Sequence, residues 1–137
     1  MTDSNDFNRQ VIDEFRANGG KAGGMFEGTP LLLLHHTGAK SGSARINPLV
    51  YLRDGDDYVI FASKAGAPTS PDWYHNLRAN PNTTIEVGSE SLAVTARVAD
   101  GDERERLWST QKSVAPQFAE YESKTDRAIP VVVLERA

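Results

Sequence analysis

Apolar residues recur along the chain with two different spacings, and each spacing predicts a type of secondary structure. In residues 7–15 they recur at every fourth position, which predicts an amphipathic N-terminal helix, within about residues 1–20, that ends at Gly19-Gly20. Four consecutive leucines then predict a buried strand over residues 31–36. The glycine-rich segment 21–29 between them is expected to be a loop.

The middle of the chain predicts a hairpin followed by a helix. Residues 46–53 are predicted as one strand and residues 58–62 as the next, joined by the turn Asp54-Gly55-Asp56. Ser70 is expected to cap the following helix, with Pro71 at its first helical position.

The rest of the chain predicts a helix, two strands, two short helices and a final strand, over residues 72–79, 83–88, 91–98, 102–113, 116–124 and 129–134. The final strand is almost entirely β-branched, which is typical of a central strand in a sheet. Because hairpins dominate the order of elements, we expect an α+β fold that is mainly antiparallel β, as a sheet or small barrel with helices around it. The 137 residues are expected to form a single domain.

Composition excludes several classes of function. The chain has no cysteine, which excludes disulfides, thiolate catalysis and cysteine-bound metals. Its formal net charge of -4 argues against general nucleic-acid binding. No apolar stretch approaches the roughly 20 residues that span a bilayer, and the polar N-terminus is unlike a signal peptide. We therefore expect a cytoplasmic protein, with peripheral membrane contact left open.

One segment departs from this acidic background. Residues 36–45 contain two glycines, a lysine, two serines and an arginine, with no acidic side chain. Glycine lets backbone N–H groups approach a ligand closely, hydroxyls donate hydrogen bonds, and Lys40 and Arg45 neutralise negative charge. The segment therefore predicts an anion site, although a solvated hairpin explains it equally well when it is taken alone.

A second turn favours the anion site. Residues 62–68 also leave an apolar strand, consist mostly of small residues and carry one lysine, Lys64. If the two strands are neighbours, the two turns can hold an elongated anionic ligand such as a nucleotide-like cofactor. The chain has no G-x-G-x-x-G or Walker motif and no βαβ alternation, so a Rossmann fold is disfavoured.

Several aromatic residues have two interpretations. Trp73 and Leu77 lie four apart on a predicted helix, which favours core packing, but Trp73 or Tyr74 could instead line a flat ring. Phe118 and Tyr121 lie three apart on another helix, where core packing is again the default and a substrate pocket is the alternative.

Two further polar groups have simpler interpretations. His35 and His36 are adjacent on a strand and so point to opposite faces of the sheet, and no metal site is expected. The acidic run over residues 100–103 is expected to cap the helix that follows it.

Taken together, the two turns and the tryptophan helix resemble the deazaflavin-dependent nitroreductase family, whose members use coenzyme F420. The matching segments are Thr37-Gly38-Ala39-Lys40-Ser41-Gly42 with Arg45 and Pro48-Leu49, Ala62-Ser63-Lys64 with Gly66-Ala67-Pro68, Pro71-Asp72-Trp73-Tyr74-His75-Asn76-Leu77, and Thr125-Asp126-Arg127 with Ile129-Pro130-Val131. The resemblance covers nearly the whole chain. It implies a split β-barrel related to FMN-binding barrels, with the deazaflavin in a groove.

The resemblance also implies which residues form the site. The implied cofactor-binding residues are Ala39, Lys40, Ser41, Gly42, Arg45, Ile46, Asn47, Pro48, Leu49, Val50, Phe61, Ala62, Ser63, Lys64, Asp72, Trp73, Tyr74, His75 and Asn76. Ser63 and Tyr121 are implied as catalytic hydrogen-bond donors to the acceptor, and Met25, Phe118 and Tyr121 as substrate-binding residues. No metal is implied.

The implied activity is hydride transfer from reduced F420 to an electron-poor small molecule, such as a quinone, an enone or a nitroaromatic. Val50, Ala115 and Phe118 depart from the tyrosine pattern of the nitroimidazole-activating relatives, so a quinone or another activated double bond fits at least as well. Two alternatives stay open: an FMN-dependent reductase of the same fold, and a non-catalytic protein that binds an anionic flavin-like cofactor. The sequence leaves the oligomeric state and the role of the N-terminal helix open.

Overall fold

The computed structural model describes residues 3–20, 30–63, 70–125 and 128–136. Within these residues the chain forms four helices: α1 Asp3–Ala17, α2 Asp72–Ala79, α3 Gly101–Val114 and α4 Gln117–Ser123. The same residues form seven strands: β1 Leu31–Thr37, β2 Ala44–Val50, β3 Leu52–Asp54, β4 Asp57–Phe61, β5 Asn82–Val87, β6 Glu90–Val98 and β7 Val131–Arg136.

The strands form one curled sheet in the order β2-β1-β5-β6-β7-β4-β3, in which every neighbouring pair is antiparallel. β2 and β3 follow each other in the chain with Tyr51 alone between them, yet they lie at opposite ends of this order. The sheet must therefore curl until its two edges approach each other at Tyr51. The result is a partly open barrel, which confirms the expected mainly antiparallel fold.

One predicted strand is wrong. The single strand expected over residues 46–53 is in fact β2 and β3, because the chain leaves one sheet edge at Val50 and begins the other edge at Leu52. Tyr51, which separates them, is neither glycine nor proline and continues the apolar pattern. The break is set by closure of the barrel, which local sequence does not report.

The helix caps also differ from expectation. Ser70 is not the cap of α2, because the extended residue at the N-cap is Pro71, with φ -68° and ψ 157°, and the helix begins at Asp72. At α3 the acidic run lies at the helix start as expected, and Asp100 is the N-cap, but its side chain makes no capping hydrogen bond. The other predicted elements are present within one to three residues of their expected ends, and β7 lies inside the sheet, between β6 and β4.

Apolar side chains fill both faces of the curled sheet. On the inner face, leucines of β1 pack with residues of β4, β5 and β7, and Trp73 of α2 packs into this inner core. On the outer face of β1 and β2, α1 packs through Val11 and Phe15. On the outer face of β4 and β7, α3 and α4 pack through Trp108 and Phe118. The helices therefore cover three separate surfaces of one sheet.

Two contacts fix the end of α1 on the sheet. Arg16 makes a two-point ion pair with Glu86 of β5, with an Nη2–Oε2 distance of 2.7 Å, and His35 Nε2 lies 2.6 Å from the same carboxylate. Gly20, with φ 102°, packs so closely on Gly88 in the β5–β6 turn that a Cβ atom would overlap the Gly88 backbone. Glycine is therefore required at the point where α1 ends.

Candidate functional site

The basic turn between β1 and β2 is closed largely by its own backbone. Gly38 N–H donates to the Ser43 carbonyl at 2.9 Å, and Gly42 N–H donates to the Gly38 carbonyl at 2.9 Å. Ser43 N–H donates to Ser41 Oγ at 3.2 Å. Gly38 is buried, and a Cβ atom there would overlap Ser41 Oγ. Three of the N–H groups in this turn are thus used internally, whereas those of Lys40 and Ser41 have no acceptor among the described residues.

A relay of three hydrogen bonds holds this turn against the strands and α2. Ala39 N–H donates to Asn76 Oδ1 at 2.9 Å, and Asn76 Nδ2 lies 2.9 Å from His36 Nδ1. His36 Nε2 lies 2.7 Å from Asn47 Oδ1. His36 and Asn76 are only 4% and 5% exposed. The relay therefore joins the basic turn, β1, β2 and α2 through buried polar groups.

The direction of this relay fixes the protonation of His36. Because Asn76 Oδ1 accepts from Ala39, the amide nitrogen of Asn76 faces His36 and donates to Nδ1. The imidazole hydrogen therefore lies on Nε2, from which it donates to Asn47 Oδ1. Burial lowers the pKa of His36 below its ordinary value, and the charge of Arg45 acts in the same direction. His36 is thus a neutral positioning group near neutral pH.

Positive charge is exposed at the surface of the turn. Lys40 is exposed, and Arg45 keeps 45% of its side-chain area exposed. Arg45 Nη1 lies 3.8 Å from Asp72 Oδ2, a long and solvent-screened ion pair that contributes little stability. The two cations, together with the N–H groups of Lys40 and Ser41, fit the acidic tail of the predicted cofactor.

The predicted cofactor residues on β2 lie on two different faces of the sheet. Ile46 and Val50 pack with α1 on the outer face, and Pro48 shares that face because side chains alternate along a strand. Asn47 and Leu49 point the other way, toward the relay and the inner core. A ligand that contacts residues of both sets must therefore reach them through the backbone of β2.

That backbone is accessible along one edge. Among the described strands β2 pairs with β1 alone. Tyr51 N–H donates to the Pro30 carbonyl at 3.3 Å, so the antiparallel alternation turns the N–H groups of Ile46 and Val50 away from β1. Pro48, which has no N–H, lies between them, where it does not interrupt the ladder. The open edge thus offers backbone donors and acceptors to a flat polar ring.

The α2 residues are divided between core and surface. Trp73 is 5% exposed and packs with Leu77 in the inner core, as the core interpretation predicts. Tyr74 is half-buried, and its ring lies edge-on to the exposed His75 at a centroid distance of 5.4 Å. Asp72 is exposed.

The end of β4 is buried. Phe61, Ala62 and Ser63 are each at most 8% exposed. Lys64 and Met25 lie outside the described residues, so the convergence of the two lysine-bearing turns stays a prediction.

Phe118 and Tyr121, the two aromatic residues expected near the substrate, belong to the outer core. Phe118 is 6% exposed, and its ring centroid lies 5.7 Å from that of Phe61 and 5.1 Å from that of Tyr121. Tyr121 is half-buried at the edge of the same cluster. This is the packing that the default interpretation predicts, and the assigned roles of Ser63 and Tyr121 as donors stay predictions.

A cavity of about 540 Å³ opens where β2 passes into β3 and α3 ends. Its wall includes Val50, Tyr51 and Leu52 from the strands, and Gln111 and Ala115 from the end of α3. Val50 and Ala115 are two of the three positions that depart from the tyrosine pattern, and the fold brings them to one cavity.

Sequence reasoning missed most residues of this cavity, including Tyr51 and Gln111. Tyr51 was hidden inside the single strand predicted over residues 46–53. Gln111 follows Leu107 by four residues, so it lies on the buried face of α3, and a polar residue at that spacing is the sign that could have identified it.

Metal clusters and membrane-spanning helices are both absent from the described residues. Among them, no cluster of three or more histidine, aspartate or glutamate residues could hold a metal ion. None of their helices combines the length and the apolar character that crossing a membrane requires.

Comparison with known proteins gives consistent results. The family model of F420H(2)-dependent quinone reductase matches residues 7–136. The F420H(2)-dependent quinone reductase of Mycobacterium tuberculosis (strain ATCC 25618 / H37Rv) is 46% identical over 126 residues, which cover 89% of this chain and 85% of that protein.

Solved structures share the fold. The structure of an F420-H2 dependent reductase (FDR-A) is 43% identical, with a TM-score of 0.71 over 77% of this chain and 94% of its own. A structure described as a domain-swapped dimer is 38% identical, with a TM-score of 0.74 over 96% of this chain and 99% of its own.

These similarities confirm the predicted enzyme class, cofactor and split-barrel fold, and they favour the F420 interpretation over the FMN and non-catalytic alternatives. The chain belongs to the F420H(2)-dependent quinone reductase family: it is an oxidoreductase with a split β-barrel fold, and its cofactor is coenzyme F420.

Proposed function

We propose that this protein reduces a quinone with F420H2, and that the cofactor lies along β2. The observation that carries this proposal is that β2 connects the basic turn to the apolar cavity. Arg45 lies near the first end of the strand, and Val50, which lines the cavity, is its last residue. A long cofactor with a charged tail and a flat reactive ring has a place for each part along this strand.

The tail of the cofactor is assigned to the turn. Lys40 and Arg45 neutralise its negative charge, while the N–H groups of Lys40 and Ser41 donate hydrogen bonds. The relay through Asn76 and His36 keeps the turn in one position before the cofactor arrives, which lowers the entropy lost on binding. Because both cations are exposed, this contribution to affinity weakens as salt is added.

The ring is assigned to the open edge of β2. Bound F420H2 supplies a hydride, which carries two electrons, together with one proton, so that the quinone leaves as the hydroquinone and F420 is left oxidised. The protein must orient the quinone over the ring and supply hydrogen-bond donors to the oxygen on which negative charge develops. Ser63 and Tyr121 are proposed as such donors.

A quinone is proposed over a nitroimidazole because of the cavity wall. Val50 and Ala115 supply apolar surface at two positions where the nitroimidazole-activating relatives carry tyrosine. Leu52 and Val114 extend this apolar lining. Such a wall favours a hydrophobic ring whose polar atoms are limited to its carbonyl oxygens.

The activity is tested by mixing the purified protein with F420H2 and menadione and following the absorbance of oxidised F420. We expect oxidation only when protein and quinone are both present. Protein that binds F420 but does not turn over with any of a panel of quinones would contradict the proposal.

The cofactor site is tested by two variants and a matched control. Lys40→Ala and Arg45→Ala should each weaken F420 binding about tenfold, the effect of losing one charge-assisted hydrogen bond, and more strongly at low salt. Arg136→Ala, which removes an exposed arginine at the end of β7, should leave the affinity unchanged. Equal affinities for all three variants would place the tail elsewhere.

We also propose that the protein works in the cytoplasm, with peripheral membrane contact when its quinone is lipid-soluble. Fractionation of the native host tests this. Recovery with integral membrane proteins after an alkaline wash would contradict it.

A further inference from the structure

Gln111 is a buried residue whose side-chain amide has no hydrogen-bond partner among the described residues. It is 1% exposed and lies with Leu107 and Trp108 on the buried face of α3. Within the described part of the chain its side-chain amide makes no hydrogen bond, whereas the neighbouring Trp108 donates from Nε1 to Glu122 Oε2 at 2.7 Å. On this buried helix face the indole N–H of Trp108 is hydrogen-bonded, whereas the amide of Gln111 has no partner among the described residues.

Gln111 is one of the residues that line the cavity between α3 and the β2–β3 junction. No fully enclosed polar side-chain atom among the described residues lacks a hydrogen-bond partner. The unpaired amide of Gln111 must therefore reach accessible space. In the free protein, water can hydrogen-bond to an amide that reaches this cavity, and a carbonyl oxygen of a ligand can take the place of that water.

The rest of the wall defines the ligand that fits. Val50, Leu52, Val114 and Ala115 supply apolar surface. Tyr51, Arg53 and Gln117 also line the cavity. The Tyr51 ring packs toward the inner core, edge-on against Tyr58 at a centroid distance of 5.3 Å. The cavity thus combines a largely apolar wall with the side-chain amide of Gln111, which suits a flat ring that carries carbonyl oxygens.

We propose that Gln111 binds the quinone, with its amide N–H donating to a carbonyl oxygen of the ring. This inference rests on the proposed function and assigns the acceptor subsite within it. When the hydride transfers, two electrons enter the quinone and negative charge grows on that oxygen, which strengthens the hydrogen bond from the neutral amide. The proton released by the cofactor completes the hydroquinone, while Gln111 gains and loses none.

A pair of identical substitutions tests the assignment. Gln111→Leu removes the amide with little change in volume, and Gln117→Leu makes the same change at an exposed residue on the rim of the cavity. We expect Gln111→Leu to raise the Kd for oxidised menadione at least tenfold by calorimetry, and to lower kcat/KM by a similar factor. Binding of F420 should be unchanged in both variants, and Gln117→Leu should bind menadione within about twofold of the wild type.

Thermal stability separates this role from a structural one. Because the amide has no partner among the described residues, Gln111→Leu should leave Tm unchanged or raise it slightly, whereas loss of a structural hydrogen bond would lower it. Unchanged menadione binding in Gln111→Leu, or a lowered Tm together with weakened F420 binding, overturns the assignment. Wild-type protein that does not oxidise F420H2 with menadione overturns the proposed function instead, so the two failures are distinguishable.

Discussion

The backbone N–H of Ala39 donates to the side-chain oxygen of Asn76 at 2.9 Å, which ties the exposed basic turn to a buried residue of α2. Asn76→Ala removes this bond and leaves His36 Nδ1 without its donor. We expect the free energy of unfolding to fall by about 2 kcal/mol, and F420 affinity to fall because the turn is no longer held. Urea denaturation and cofactor titration measure the two effects. Asn80→Ala, at the exposed end of the same helix, should change neither.

Protonation of His36 should destabilise the fold. The unfolded chain takes up this proton near pH 6.5, whereas the folded chain does so at lower pH because burial lowers the pKa of His36. The stability contributed by the neutral form is therefore present above pH 6.5 and is lost as the pH falls from 6.5 through the folded pKa. The free energy of unfolding should therefore decrease as the pH falls through this range. This decrease should be smaller in His36→Gln.

Acid should act on Glu86 in a separate range. The Arg16 ion pair and the hydrogen bond from His35 lower the pKa of Glu86, so its contribution is present above pH 4.5 and is lost as the pH falls below that value. Glu86→Gln should reduce the low-pH slope, to which Asp54, Glu103 and Glu122 also contribute through their lowered pKa values, and should leave the His36 slope in place. A Glu86→Gln protein with an unchanged acid slope would show that this carboxylate does not anchor α1.

Gly38→Ala should disturb the basic turn through one identifiable clash. The new methyl group would overlap Ser41 Oγ, so Ser41 must rotate and release the N–H of Ser43. We expect F420 affinity to fall about threefold to tenfold in Gly38→Ala, an effect comparable with losing one turn hydrogen bond.

A second substitution, Ser41→Ala, tests whether this clash is the cause. In Gly38→Ala combined with Ser41→Ala the clash is absent, because the remaining Ser41 contact, to Cβ, is 3.6 Å away. The double variant should therefore bind F420 as well as Ser41→Ala alone. If the double variant binds F420 more weakly than Ser41→Ala alone, the effect of Gly38→Ala does not come from the clash with Ser41.

The proposed tail site places Asp72 in competition with the cofactor for Arg45. The Arg45–Asp72 pair is long and exposed, so Asp72→Asn should hardly change the free energy of unfolding. Removing the carboxylate should instead tighten F420 binding about twofold to threefold at low salt, and this gain should vanish at high salt. Weaker binding in Asp72→Asn would mean that Asp72 contacts the cofactor directly.

Gly19 and Gly20 offer a matched pair at the end of α1. Both have positive φ, but a Cβ at Gly19 meets nothing within 4 Å, whereas one at Gly20 overlaps the Gly88 backbone. Gly19→Ala should lower the free energy of unfolding by about 1 kcal/mol through backbone strain. Gly20→Ala should lower it by about 1–3 kcal/mol more through overpacking. If urea denaturation gives the same loss in free energy of unfolding for both variants, the end of α1 is not packed tightly against the β5–β6 hairpin.

Local pattern predicted most of the elements, because their signals are local. Apolar spacing located α1 and the leucine strand, and the Asp54-Gly55-Asp56 turn located a hairpin. The division at Tyr51 could not be predicted, because it depends on which strands meet when the sheet curls. The same limit applies to the faces of β2: alternation shows that Ile46 and Asn47 point apart, but not which face lies under α1.

The sequence predicted which positions belong to the candidate site, but it did not predict the hydrogen bonds between them. Lys40 and Arg45 stood out by charge against an acidic chain. His36 and Asn76 are distant in sequence, so their bond to each other follows only from the packing of α2 on β1. Gln111 was missed because one polar residue on a buried helix face is interpretable only when its surroundings are known.

The division of the chain at Tyr51 gives β2 a fixed length between the proposed tail site and the proposed quinone site. From Arg45 to Val50 an extended strand spans about 17 Å. If the tail is held at one end and the quinone at the other, this distance selects cofactors by size before any ring chemistry is involved. A deazaflavin shortened by removal of its charged tail could occupy only one end, so it should bind weakly even though its reactive ring is intact.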